Sequence, residues 1–387
     1  MEKRINRDSD IVIAGVDPMQ KKTIVLSVII VAVLVVGGVT AALLMGNKSE
    51  RRAVYFVSVS PSNMEAWLAV NESDAYIAWE PFASSATVSG NGRILMWTSE
   101  IMPHHPCCVV VVSKQFLNSA LGPELTKRFV KAHIEATEWM LNALSDHQSS
   151  NYTLLVNMAA DFTHKSAAVV SEAMGHVEYG YEMNASFKSA LEEFTNMYIN
   201  DGWITNETFH NRGYTDVPQF VDEYVNESYV EAAGTVDPRP PPMYDVPIRL
   251  AFLKDDLHQM AQAVAMNATA FGSQSMFANY GLNVTLSLKS GYGAGGDVMT
   301  AIGLNEADFG YLGAPPSILK HINNNVETVI VAQANSEGSA IVVGANSDIH
   351  SLEDLIGRTI ATPSVTSIQH LLLKVALERL DIELVKA

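Results

Sequence analysis

The stretch Ser287-Leu-Lys-Ser-Gly-Tyr-Gly-Ala-Gly-Gly-Asp-Val-Met-Thr-Ala-Ile-Gly-Leu-Asn-Glu-Ala-Asp-Phe-Gly-Tyr-Leu-Gly-Ala-Pro-Pro316 decides how this chain is read. It runs as strand, glycine turn, short helix, strand, glycine turn, helix, with the turns at Gly291 to Gly296 and Gly313 to Pro316. Glycine lets the backbone come close to something small, and a helix start offers unpaired N–H groups at the positive end of its dipole. In an open α/β sheet both turns fall at the carboxyl ends of strands, where such sheets bind their ligands.

Working outward, the same alternation covers most of the chain beyond residue 52. Strands are predicted over 53–60, 74–79, 93–98 and 107–112, with helices over 61–70 and 82–90, the pattern of a parallel sheet covered on both faces. Leu125, Phe129, Ala132, Ala136, Met140 and Ala143 recur at helical spacing over 122–147, and stripes at 187–199 and 217–229 read as further core helices. The segment 234–247, GTVDPRPPPMYDVP, is a proline-stiffened linker. After it come strands at 248–253, 283–289, 328–333, 340–344, 359–362 and 382–385, with helices at 257–271, 351–356 and 367–380.

The run 23–45 is apolar and uncharged, long enough as a helix to cross a hydrocarbon core of about 30 Å. Lys3, Arg4, Arg7, Lys21 and Lys22 precede it, which puts residues 1–22 in the cytoplasm and 53–387 outside, with a cleaved signal peptide as the competing reading. Eight Asn-x-Ser/Thr sequons, at Asn47, Asn71, Asn151, Asn184, Asn206, Asn226, Asn267 and Asn283, suit an extracytoplasmic surface. A formal net charge of −17 offers no basic stripe for nucleic acid, so none is expected as a partner. Two adjacent cysteines build no disulfide framework.

His104-His105-Pro106-Cys107-Cys108 contains zinc-ligand residue types. The continuous apolar run 107–112 reads instead as a buried strand, in which cysteine acts as a small hydrophobe. Neighbours along a strand face opposite sides, so no metal is expected there. No GxSxG, phosphate-loop, Ser-His-Asp or paired-carboxylate pattern is present, and neither a cofactor nor an enzyme activity is expected.

From 248 onward the chain resembles the solute-binding proteins of ABC importers for nitrate, sulfonates, taurine and bicarbonate, a group that includes thiamine-pyrimidine binders. The resemblance rests on LKDDLH at 253–258, the Asp-Phe-Gly-Tyr-Leu-Gly-x-Pro-Pro core within 303–316, ANSEGS at 334–339 and GRTIATPSVTSIQH at 357–370. DAYIAWEPF at 74–82, the Pro-Cys-Cys-Val-Val-Val-Val strand and KAHIEATEW at 131–139 carry it into the first half. In the relatives the segment like 74–139 follows the segment like 357–385, so this chain looks circularly permuted. The competing explanation is two half-copies, each completed by a partner chain.

The resemblance implies a two-lobed, type II Venus-flytrap fold, with one lobe from 102–344, the other from 53–99 plus 351–387, and a solute closed between them. It also implies permease and ATPase partners, and a tethered receptor suits a cell without an outer membrane, such as a Gram-positive bacterium or an archaeon. Helix starts at Gly295 and Gly296, at Gly313 to Pro315, and at Thr366 and Ser367 are expected to point into the cleft and favour an anion or small polar solute. Ser339 and Gln369 add hydrogen bonding, Tyr311 and Trp79 pack on the ligand body, and His258 supplies a switchable charge. Glu80 and Glu337 would suit an amine or amino-pyrimidine, or serve as caps, so the charge of the ligand stays open. The alternatives are a pyrimidine-precursor binder or enzyme, and a glycosylated surface protein that keeps the fold.

Overall fold

The valine run after the paired cysteines forms β4, Pro106–Ser113, a strand buried at every residue. Four consecutive β-branched side chains suit a strand covered on both faces, and β4 is the centre of one of two sheets. The computed structural model describes residues 52–239, 242–272 and 274–387. The anchor expected at 23–45 lies outside them; among the described residues no helix is long and apolar enough to cross a membrane.

The first sheet holds β1 (Ala53–Ser58), β2 (Ala75–Trp79), β3 (Gly92–Trp97), β10 (Ser339–Gly344), β11 (Thr359–Thr362) and β12 (Glu383–Lys386), in the order β12-β1-β11-β2-β10-β3. The second holds β4 with β5 (Val177–Tyr179), β6 (Pro247–Ala251), β7 (Asn283–Leu286), β8 (Phe309–Gly313) and β9 (Thr328–Glu337), in the order β5-β9-β4-β8-β6-β7. Helices cover the strands, and the α/β expectation holds as a mixed architecture of two sheets, consistent with a two-lobed binding protein.

Neither sheet is purely parallel. The blocks β12-β1-β11-β2 and β7-β6-β8 are parallel, but β10 runs antiparallel to β2 and β3, and β4 antiparallel to β8 and β9. In the first sheet the reversed strand is β10, which continues β9 of the second sheet with a break only at Gly338, so that one nearly continuous segment passes from the second sheet into the first. Ser339–Gly344 therefore belongs with 53–97 and 359–386, not with the lobe expected over 102–344. Gly338 takes φ +73°, and a Cβ there would meet His258 Nε2 at 2.3 Å and Val177 Cγ2 at 2.8 Å, so only glycine fits the crossing.

β1 pairs in parallel with β12, Ala53 opposite Glu383 and Phe56 opposite Lys386. The two ends of the folded region thus complete one sheet within one chain. The helix expected over 257–271 breaks into Leu257–Gln259, Met260–Met266 and Thr269–Phe271, and the one expected over 351–356 is a single 3-10 turn, Glu353–Leu355.

Candidate functional site

Four strand-to-helix turns open on one cavity of about 290 Å³ between the two sheets. From the first sheet come Ser60 and Pro61, which start the helix Pro61–Ala69 after β1, and 363–369, which lead from β11 into the helix Ile368–Glu378. From the second come 293–296 at the start of the helix Gly295–Gly303, and Gly313 with Pro316 at the start of the helix Ala314–Asn323. A Cβ on Gly295 would stand 2.8 Å from Pro316 Cγ, so the missing side chain lets these last two turns pack together.

The helix starts differ in what they offer. Pro315 and Pro316 carry no N–H, which leaves the Ala314–Asn323 helix poor in free donors, contrary to the expectation for that turn. The Gly295–Gly303 helix has no side-chain cap, so its first amides have no partner within the helix. Ser367 caps the Ile368–Glu378 helix: its Oγ accepts from His370 N at 3.2 Å and donates to Ser364 O at 2.8 Å, so its hydroxyl proton is already committed. Gln369 reaches from that helix to β10, donating from Nε2 to Ser339 Oγ at 2.9 Å.

Of the residues named from sequence, Trp79, His258, Gly295, Gly296, Gly313, Thr366, Ser367 and Gln369 line the cavity, while Glu80, Tyr311, Glu337 and Ser339 do not. Tyr311 lies on β8 in the second sheet's core, its hydroxyl on His133 Nδ1 at 2.9 Å. Glu80 is fully buried and holds the start of the helix Phe82–Ser89, accepting from Ser84 N at 2.9 Å and Ser84 Oγ at 2.6 Å. Burial pushes its carboxyl up to about 7 despite those bonds. Glu337 accepts from His104 N at 2.7 Å, and Ser339 is buried behind Gln369. Strand alternation and the crossing at Gly338 turn these four away from the cleft.

The wall contributed by the second sheet carries a group of side chains that sequence reasoning separated. Cys107, Cys108, Asp256 and His258 all line the cavity and all are buried. The expectation that the two cysteines face opposite sides fails because β4 is irregular there, with register shifts against β9 between Pro106 and Cys108 and between Cys108 and Val109. The two thiols and a ring nitrogen of His258 consequently lie within 4.8 Å of one another. His258 is not a surface residue at a helix start; it is 1 % exposed, held by Asp256, whose Oδ1 accepts from His258 N at 3.0 Å.

His258 Nε2 lies 3.0 Å from Gly338 O, and a carbonyl can only accept, so Nε2 carries a proton. That turns Nδ1 toward both Cys107 Sγ and Asp256 Oδ1, each at 3.4 Å. A catalytic triad would need the acid on the nitrogen remote from the nucleophile; here both share one nitrogen and a backbone carbonyl holds the other. Burial alone would lower His258, but Cys107 and Asp256 outweigh it and hold the imidazole above its usual range. Burial raises Asp256 to about 7, and a hydrogen bond from Cys108 with the nearby His258 charge draws the Cys107 thiol down. No lysine or arginine is among the described residues that line the cavity.

Trp79 closes the cavity from the first sheet. Its indole Nε1 is buried and has no hydrogen-bond partner among the described residues. A buried, unpartnered donor costs roughly 1–3 kcal/mol.

Residues 19–153 match the NMT1-like family, and residues 276–386 match the family described as ABC transporter, phosphonate, periplasmic substrate-binding protein. No curated protein matches the chain. With the two sheets and the cavity between them, these two matches support an ABC-type solute-binding protein.

Proposed function

We propose that the chain is the extracytoplasmic receptor of an ABC importer and captures a small polar or anionic solute, of the nitrate, sulfonate or taurine class, between its two sheets. The observation that carries this reading is the cavity lined from both sheets, with the helix starts of both and the ring of Trp79 in its wall. A volume of about 290 Å³ lies at the lower end of the range of small-molecule pockets. The amide-rich start of the Gly295–Gly303 helix faces an acceptor such as a sulfonate or carboxylate oxygen, and Asp256 faces an amine at the other end of a zwitterion. Hinge motion at the segments that pass between the sheets closes the lobes on the solute.

The segment 23–45 tethers the receptor beside a permease and its ATPase, which raises its effective concentration there. None of the described sequon asparagines is buried, which suits glycan attachment outside the cell. The element order supports a circular permutation of the fold, with β1 and β12 side by side and the proline-rich segment 234–247 spanning the old termini.

A thermal-shift panel of nitrate, alkyl sulfonates, taurine, phosphonates and small amines tests the proposal. A true solute at one hundred times its Kd adds about 2.7 kcal/mol of stability. Trp79→Phe shrinks the ring in the cavity wall and is expected to weaken that solute roughly 10-fold. A panel without a response, or a response equal in Trp79→Phe, would overturn the reading.

A further inference from the structure

We propose that Cys107 Sγ, Cys108 Sγ and His258 Nδ1 form a binding site for one thiophilic divalent cation of the zinc class, with the fourth coordination position open to the cavity. The three side chains come from two separate parts of the second-sheet lobe, and their donor atoms lie within 4.8 Å of one another. Cys107 Sγ and His258 Nδ1 are 3.4 Å apart. Two ligands of a tetrahedral zinc with the usual Zn–S and Zn–N lengths stand about 3.6 Å apart, so this pair already has the separation the ion requires.

The surroundings are those of a ligand set that is already aimed. A metal-binding imidazole normally donates its other N–H to a carbonyl or carboxylate, which fixes the tautomer and the ring direction. His258 does this through Nε2 to Gly338 O at 3.0 Å, and the absence of a side chain at Gly338 is what lets the ring in. Gln259 Nε2 donates to Cys108 Sγ at 3.4 Å, the kind of N–H bond that steadies a metal thiolate. Asn335 Oδ1 accepts from Cys108 N at 3.0 Å, in place of a ladder bond, and so holds the irregular stretch of β4 that brings both thiols together. Asp256 Oδ1, 3.4 Å from His258 Nδ1, adds a negative charge beside the cation.

Two thiolates and one imidazole are soft donors that favour zinc over calcium or magnesium. Three protein ligands with one open position is the arrangement that presents a metal to a small molecule, not the closed four-ligand arrangement of a structural site. The second cluster, His104 with Glu178 and Glu337, has no thiol and an exposed imidazole, and serves as a control.

The test is a cobalt titration of tag-free, chelator-stripped protein kept reduced, with no solute added, so its outcome does not depend on the importer reading. One equivalent of Co²⁺ is expected to bring up a thiolate-to-metal charge-transfer band in the near ultraviolet and visible bands of tetrahedral cobalt, and Zn²⁺ should abolish both. Cys107→Ser and Cys108→Ser should each reduce the charge-transfer band, and His258→Gln should weaken zinc binding roughly 100-fold. His104→Ala should change nothing. Should the cysteine variants fail to fold, the spectrum of the folded parent decides. Absence of the charge-transfer band in the reduced parent, or its full survival in either serine variant, overturns the site.

Discussion

The two walls of the cavity are built alike and armed differently. Both present the carboxyl ends of strands and the starts of helices. The first sheet supplies hydroxyls, an amide and an indole, from Ser60, Ser364, Thr366, Ser367, Gln369 and Trp79. The second supplies the titratable groups Cys107, Cys108, Asp256 and His258 beside a glycine-rich turn. One wall therefore carries no titratable side chain, whereas the other gathers four. The walls meet at Gly338, whose carbonyl accepts from His258 Nε2 on one side and from Glu80 N at 2.9 Å on the other.

The comparison breaks most severely at that meeting point. Gly338→Ala would force a Cβ against His258 Nε2 and Val177 at a left-handed backbone position, and is expected to cost about 3 kcal/mol or more. Gly344→Ala, at the far end of β10, meets nothing nearer than 3.9 Å and should stay within about 0.5 kcal/mol. Denaturant unfolding of the pair checks this, and equal stabilities would contradict it.

Glu80 sharpens the comparison next, because it puts a proton-sensitive group behind the wall that lacks one. Its folded pKa is raised from 4.5 to about 7 by burial, so the folded state holds the proton more tightly than the unfolded chain. The stability that this proton confers is fully present below about 4.5 and lost as pH rises through about 7, a change of about 3 kcal/mol. Glu80→Gln keeps the shape and stays neutral; its amide still accepts from Ser84 N and can donate to Ser84 Oγ. Its melting temperature should gain on the parent's between pH 5 and 7.5, and parallel curves would refute the assignment.

Tyr311→Phe is the smallest. It removes the bond to His133 Nδ1 and should cost about 1–2 kcal/mol without altering solute affinity, since Tyr311 lies away from the cavity. A loss of affinity measured by calorimetry would return Tyr311 to the site.

Local signals in the sequence carried much of this. Hydrophobic alternation and glycine turns located the strands, so β11 was expected at 359–362 and is found at Thr359–Thr362. Of the order expected from Ser287 to Pro316, the helix, strand and helix are found, whereas the first strand, expected to reach 289, ends at Leu286. The pairing of β9 with one sheet and β10 with the other was not legible, because a one-residue connection at Gly338 looks the same whether it turns back or crosses over. Tyr311, Ser339 and Glu80 were placed in the cleft by proximity in sequence to its turns, but the faces they occupy are set by strand pairing. The thiol pair was missed because the alternation rule presumes a regular ladder. Pro106, which cannot donate to a ladder, was the one hint that β4 begins irregularly.

The most direct measurement of the central claim is a calorimetric titration of the thermal-shift hit into the parent and into Ser367→Asp. Aspartate keeps the cap by accepting from His370 N, so the Ile368–Glu378 helix should persist, while the lost donation to Ser364 O costs about 1 kcal/mol of stability. Its carboxylate would sit at the mouth of the cavity and compete for the same amides, and a loss of affinity of roughly 100-fold is predicted for a solute held by helix starts. Equal affinity in the two proteins would show that the solute does not bind between these walls.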